Sequence, residues 1–509
     1  MLPETTQSTD ILLTTLNSKY IHSSFSLRYL YANLGEWQSR AAVIEFTIHD
    51  RATDMAEKLL AYQPKVIGFS VYIWNVVETT ELVKLIKTIA PEIKVVLGGP
   101  EVSHLPDQPE VVDLADYVVQ GAGEHSFKQL CGELLNNEVS DYSHINRHIK
   151  GIAKPLEELN MPYAYYSDDD IKNRIVYVEA SRGCPFKCEF CLSSLDRTSK
   201  TFTLDRFLDE MDKMYQKGAR NFKFIDRTFN LKMAHSSAIL QFFLDRMDGK
   251  LTVHFEVIPD RLPEKLRQLL VKFPAQSLQF EIGVQTFDPE IQTLISRKQD
   301  NDKTKENLLW LRENTLAHIH ADLIFGLPGD SLANFACSFD QLLALKPQEI
   351  QLGILKRLRG APINRHTRDY QMRYNPAPPY TILSTATISF QDLQKVNRFA
   401  RYWDMFGNSG RFSSTLPMLM ADAPFERFMQ FSETLYATEK STWKISLRRQ
   451  FVLLYRILTE HLGLDAEQIF EALQKDFDRS GEKGHLFAVL NRQKPDKGMR
   501  HNKRQAQHV

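Results

Sequence analysis

Cysteine is scarce in this chain, with five among 509 residues, at positions 131, 184, 188, 191 and 337. An odd count with three crowded into one short segment is a poor disulfide framework, which excludes a small cross-linked secreted domain. Charge of one sign is also missing, since 63 basic residues face 63 acidic ones. That balance gives no whole-chain reason to expect a nucleic-acid or membrane-surface partner. No apolar run approaches the roughly 18 residues that a membrane-spanning helix needs. Residues 1–10 hold neither a basic residue nor an apolar stretch, so no secretory signal is read there. Internal repeats and low-complexity tracts are absent too. What is present is ordinary globular composition: 43% hydrophobic, 11% aromatic and 25% charged. The expectation is a soluble protein of a reducing compartment, the cytoplasm. At roughly 150 residues per domain, the length corresponds to about three domains.

Residues 1–140 alternate short apolar runs with helical patterns. The strand candidates are Ile11–Leu16, Ala41–Thr47, Lys65–Val71, Ile93–Leu97 and Asp116–Gln120, rich in Val, Ile and Leu as doubly covered strands are. Five such βα units predict an open parallel sheet of the Rossmann or flavodoxin type, with ligands beyond the strand ends. Residues 141–172 read as a connector, with Pro155, Pro162 and the acidic run Asp168–Asp170. A second series fills 173–370, with strands expected at Ile175–Ala180, Phe222–Asp226, Val253–Val257, Leu278–Val284, Ile319–Phe325 and Glu349–Ile354. Six repeats predict a partial (β/α)6 barrel with its site at the strand C-termini. The fold class is therefore α/β, followed by a mostly helical domain at 371–491, with helices expected at Trp443–Leu462 and Ala466–Gln474. The tail at 492–509 is basic and reads as a disordered, solubilising end, with contact to an anionic partner as the second reading.

The strongest chemical signal follows the first barrel strand: Ser181-Arg-Gly-Cys184-Pro-Phe-Lys-Cys188-Glu-Phe-Cys191. Three thiolates spaced x3 and x2 in one loop can converge on a soft metal centre, yet zinc sites usually provide four ligands and no fourth Cys or His lies nearby. A [4Fe–4S] cluster held by three thiolates leaves one iron open. This CxxxCxxC segment resembles that of radical SAM enzymes, placed where that family places it. The resemblance implies that Cys184, Cys188 and Cys191 bind the cluster and that the open iron chelates S-adenosylmethionine. Reductive cleavage then yields methionine and a 5′-deoxyadenosyl radical. Phe190 fills the aromatic position before the last cysteine, which in that family contacts the adenine.

Further barrel segments match the family in order. Phe224-Ile-Asp226-Arg-Thr228 ends the second strand, which implies that Asp226 lies by the SAM amino group. Glu281-Ile-Gly283-Val-Gln285-Thr286 ends the fourth, which implies ribose and carboxylate contacts from Gln285 and Thr286. Ile324-Phe-Gly326-Leu-Pro328-Gly329 matches the fifth-strand turn, where Gly326 and Gly329 would admit the adenine. Asp322 stands where the family often has glycine. Arg297 is read either as a fork on the SAM carboxylate or as a surface arginine.

The first domain resembles the cobalamin-binding domain that precedes the barrel in one large radical SAM subgroup. The matching strand ends carry Ser70-Val-Tyr72, Gly98-Gly99-Pro100-Glu101 and Gly121-Ala-Gly123-Glu124. The resemblance implies that Ser70, Gly98, Gly99 and Gly121 line a corrinoid; ordinary turn glycines are the competing reading. The Asp-x-His-x-x-Gly motif of classical cobalamin domains is absent, although His22 falls close in the loop after the first strand. The region around Phe406–Phe412 resembles an uncharacterised domain of the same proteins, and a cap over the barrel mouth is expected of it. The whole resemblance implies methyl transfer to an unreactive carbon, with a reducing partner such as flavodoxin or ferredoxin and a substrate left unidentified. Radical rearrangement, cyclisation or oxidation is the second reading, and a non-catalytic corrinoid or cluster sensor the third. No catalytic residue is assigned beyond the cofactor ligands.

Overall fold

The computed structural model describes residues 9–136 and 145–490, so the basic tail at 492–509 lies outside the described residues. The first sheet contains β1 (Ile11–Asn17), β2 (Ala41–Thr47), β3 (Val66–Ser70), β4 (Lys94–Gly98), β5 (Tyr117–Gln120) and β6 (His148–Lys150). All neighbours are parallel, in the order β2-β1-β3-β4-β5-β6. This is the flavodoxin-like order, whose switch point between β1 and β3 opens a crevice at the strand C-termini. Every residue of β1 and β3 is buried, because helices cover both faces. In this sheet, β6 is the strand that sequence reading misses. It has only three residues, one of them apolar, inside the segment read as a connector.

The second sheet begins with β7 (Val176–Val178). It continues, past the antiparallel pair β8 (Ser181–Arg182) and β9 (Lys200–Thr201), through β10 (Asn221–Phe224), β11 (Thr252–Val257), β12 (Leu278–Gln285), β13 (His318–Phe325) and β14 (Glu349–Ile354). Six strands, β7 and β10 to β14, lie in sequence order and are all parallel, with β7 and β14 as open edges. The sheet is thus a partial β/α barrel. Beyond it, a turn at Pro362–His366 leads to a small antiparallel pair, β15 (Arg373–Tyr374) and β16 (Ile382–Ser384). Both sheets and this extension, up to Leu393, form one compact unit.

The second unit starts at Gln394 and, among the described residues, is helical. Its core is aromatic: Phe399, Trp403, Phe425, Phe428 and Phe431 pack in a chain of stacked and edge-on rings. Asp476 is fully buried, yet it accepts the backbone N–H groups of Ser414 and Thr415, each at 2.9 Å, and the Thr415 hydroxyl at 2.7 Å. The helix expected to start at Trp443 begins at Leu447 instead, because the Ser446 hydroxyl accepts the Arg449 N–H and caps it there. Trp443 is left exposed.

Candidate active site

The chain leaves β7 into a loop whose base is pinched by the β8–β9 pair, and the three cysteines lie inside that loop. Gly183 has φ +91°, and a Cβ there would lie 2.4 Å from the Thr198 carbonyl, so only glycine fits. The Cys184 N–H donates to the Asp196 carbonyl at 2.9 Å, and the Cys191 N–H to the Cys188 carbonyl at 3.1 Å. Phe190 is half-buried beside Cys191. All three thiols are free. Burial pushes Cys184 and Cys188 up, and mutual repulsion among the sulfurs adds to it, so the three are within electrostatic reach. Among the described residues, no three His, Cys, Asp or Glu converge tightly enough for a single metal ion. A cubane cluster sets each thiolate on a different iron, so its ligands surround a volume and need not meet at a point. Three soft donors and no fourth side chain fit that group.

Arg297 is committed to this loop. Its Nη1 lies 3.6 Å from Cys188 Sγ, while the rest of the fork donates to the Gly283 carbonyl and Gln299. It is a half-buried cation beside the cluster loop rather than a surface arginine, and its fork is already engaged by protein.

The strand-end residues divide into two groups. Asp226 is buried, its carboxylate accepting the Ala180 N–H at 3.0 Å and the Ser181 hydroxyl, so it ties the end of β10 to the entry of the cysteine loop. Burial pushes this carboxyl up to about 7 against those two hydrogen bonds. The Thr286 hydroxyl accepts the Asp288 N–H at 3.1 Å and so shapes the turn after β12. Gly326 (φ +92°) faces Ile382, which a Cβ would meet at 2.6 Å, and Gly329 (φ +77°) faces Leu294 at 2.9 Å. Gln285 differs from all of these. It sits at a bulge with φ +71°, and its Oε1 is buried without a hydrogen-bond partner among the described residues. A strained backbone holding an orphaned acceptor at a strand end is what a bound polar ligand would complete.

Sequence reading misses the barrel interior. In β11 to β13 the buried residues alternate with half-buried ones. Phe280 and Ile282 pack with Leu266 and Leu308 of the surrounding helices, so the alternate set faces inward. That set is polar: His254, Glu256, Glu281, Gln285, His320 and Asp322. Lys223 lies 3.3 Å from Glu281, His254 lies 3.2 Å from it, and this company holds Glu281 down at about 2. His320 Nε2 is 3.5 Å from Asp322 Oδ1 without hydrogen-bond alignment, and both atoms lack a partner among the described residues. The signal was the period-two spacing His254-x-Glu256, Glu281-x-Gly283-x-Gln285 and His318-x-His320-x-Asp322.

Burial, with the Glu281 and Glu256 carboxylates, pushes Asp322 up to about 8. A raised acid pKa means stability that is intact below the ordinary carboxylate range and is lost as pH rises through the folded value. Asp322→Asn, neutral throughout, should therefore match the parent chain at acid pH and exceed it by about 1–3 kcal/mol at pH 8. Melting curves of both chains across that range check this; parallel curves would refute it.

On the N-terminal sheet, Gly99 (φ +102°) is demanded by the protein itself, since a Cβ would lie 2.4 Å from the Val71 carbonyl. Gly98 and Gly121 are different: a Cβ on Gly98 would meet only the Val119 carbonyl, at 3.8 Å, and one on Gly121 would meet nothing within 4 Å. These two leave open space at the strand ends, as a cradle for a flat or extended ligand requires. Ser70 borders it, its hydroxyl 3.3 Å from that of Ser26, with Tyr72 and Trp74 stacked nearby at 4.3 Å. His22 is engaged by the second sheet, its Nδ1 2.7 Å from the Tyr177 hydroxyl on β7.

The two sets of strand ends meet. Arg182, in the cysteine-loop hairpin, pairs with Glu124 after β5 at 2.8 Å and with Glu179 at 2.9 Å. Arg359, after β14, pairs with buried Glu101 after β4 at 2.8 Å, and the Tyr380 hydroxyl donates to the same carboxylate at 2.7 Å.

A flavodoxin-like domain whose strand ends are tied to a three-cysteine loop on a partial barrel defines a class. Three family models match this chain in succession: the B12 binding domain over residues 11–131, the radical SAM superfamily over 178–341, and "Protein of unknown function (DUF4080)" over 368–509. Within this chain, a match to the B12 binding domain therefore precedes a match to the radical SAM superfamily. Among curated relatives, an uncharacterized methyltransferase of Pyrococcus horikoshii is 25% identical over 267 residues, 48% of this chain and 57% of that protein. The cobalamin-dependent radical SAM methyltransferase TokK of Streptomyces tokunonensis is 24% identical over 382 residues, 64% of this chain and 52% of TokK. The chain thus spans a little over half the length of these relatives. Among solved structures, the fold is shared with the cobalamin-dependent S-adenosylmethionine radical enzyme OxsB (TM-score 0.63, 14% identity, 94% of this chain and 83% of OxsB). It is also shared with the radical S-adenosylmethionine methyltransferase TsrM of Kitasatospora setae (TM-score 0.60, 16% identity, 83% of this chain and 99% of TsrM).

Proposed function

We propose that this chain is a corrinoid-dependent radical SAM methyltransferase acting on an unactivated carbon. One observation carries the reading: the Arg182–Glu124 pair ties the hairpin of the cysteine loop to the glycine-bearing strand ends of the N-terminal sheet. When bound, the cluster with SAM supplies a radical able to take hydrogen from a C–H bond, and the corrinoid supplies the methyl group. The chain's own residues bind, orient and shield. Cys184, Cys188 and Cys191 hold the cluster, with Arg297 as the cation against it. Phe190 and the free Gln285 acceptor orient SAM, and Asp226 keeps the loop entry in place. Ser70, Gly98 and Gly121 cradle the corrinoid, and no histidine of this chain is assigned below its metal. The inward polar set around Asp322 and His320 receives polar groups of the substrate. A flavodoxin or ferredoxin delivers the electron.

The test is anaerobic reconstitution with iron, sulfide and hydroxocobalamin, followed by iron and corrinoid analysis. Reduction in the presence of methyl-labelled SAM should yield 5′-deoxyadenosine and label on the substrate. Corrinoid uptake that stays at zero would remove methyl transfer and leave rearrangement or oxidation. No 5′-deoxyadenosine under any reductant would leave a sensor.

A further inference from the structure

Glu189 sits between Cys188 and Cys191, where a loop residue facing solvent would be unremarkable, yet it is 5% exposed. Its carboxylate is gripped from two directions. Arg365 holds it as a fork, with Nε at 2.7 Å and Nη2 at 2.6 Å, and His366 Nε2 lies at 2.9 Å. From the other side the Ser296 hydroxyl donates at 2.6 Å. The backbone repeats both connections: the Glu189 N–H donates to the Ile295 carbonyl at 3.0 Å, and the Glu189 carbonyl accepts the Ile363 N–H at 2.9 Å. Ser296 immediately precedes Arg297, whose Nη1 lies on Cys188 Sγ.

We propose that Glu189 is a positioning residue for the cluster. It locks the cysteine loop against Ile363–His366 and, through Ile295 and Ser296, holds Arg297 on the Cys188 sulfur. The proposal rests on the cluster reading above. Hydrogen bonds and charge at cluster sulfurs set both retention and reduction potential. A cation at Cys188 favours the more negative, reduced cluster, so releasing Arg297 should lower the potential. Arg365 is 61% exposed, so its removal tests the clamp without emptying the core.

The experiment compares the reconstituted parent chain with Glu189→Gln, Arg365→Ala and Arg297→Ala. It reads iron release to a chelator, the midpoint potential of the cluster, its EPR line shape and the melting temperature of the apo-protein. The expected result is iron release about 10-fold faster in Glu189→Gln and Arg365→Ala. The potential in Glu189→Gln should shift in the same, downward direction as in Arg297→Ala, with apo-protein melting unchanged in Arg365→Ala. If Glu189→Gln fails to fold, Arg365→Ala decides alone. Parent-like iron release and potential in the variants would overturn the proposal while leaving the cluster reading intact. A parent chain that takes up no cluster would overturn both.

Discussion

Replacing any one of Cys184, Cys188 or Cys191 with Ala should reduce cluster content and 5′-deoxyadenosine formation to background. Changes one shell out from a metal centre typically cost about 10–100-fold, so the loss of a ligand should exceed that. The loop offers no substitute, since the remaining cysteines lie elsewhere. Cys131 is buried in the core of the first sheet, and Cys337 is exposed on the helix Leu332–Ala344 beside Gln341. Cys337→Ala is therefore expected to behave as the parent chain. Iron and sulfide analysis with visible absorption checks the series. A single-cysteine variant that keeps a full cluster would refute the assignment.

The largest effect on stability is expected from Arg28. Its guanidinium joins Glu45 on β2 and Asp170 after the first domain, both at 2.7 Å, and Arg174 completes the square at 3.1 and 2.9 Å. All four side chains are less than 10% exposed. Deleting one partner of such a network strands buried charge, which costs about 3–5 kcal/mol. Arg28→Met, which keeps the bulk, should therefore lower the melting temperature by several degrees and loosen the helix Asp168–Asn173 from the first domain. Burial acts against the Asp170 carboxylate, yet Arg28, the Ser167 backbone and Arg174 hold it below its usual range. Its contribution is therefore present above the ordinary carboxylate pKa and lost as pH falls through the lowered one. The parent chain and Arg28→Met should accordingly converge in acid. A melting difference that persists unchanged at low pH would point to lost packing instead.

The central strands were legible because burial on both faces favours Val, Ile and Leu, as in Ile11–Leu13 and Val95–Leu97. The cysteine loop was legible because its spacing is chemistry in itself. Other features depended on tertiary partners. Asp168–Asp170 looks like a solvated run, and only the fold shows that Arg28 and Arg174 bury Asp170. Gly98 and Gly99 look alike in sequence, yet one borders open space and the other a neighbouring backbone. Glu189 reads as one charged residue between two cysteines until Arg365 and His366, far along the chain, close on it.

The extension after β14 places a boundary where sequence similarity alone would not. The DUF4080 match starts at residue 368, but the first compact unit runs on to Leu393. Within that overlap, Ile382 fills the space beside Gly326, Tyr370 lies 3.5 Å from where a Cβ of Gly329 would be, and Tyr380 bonds Glu101. A fragment ended at residue 367 would thus expose the glycine turn and strip a buried carboxylate of one partner, although no residue of the radical SAM match is missing from it. A fragment ended at Leu393 keeps these contacts. Comparing the expression and melting of the two would turn a boundary drawn on alignment into one drawn on packing.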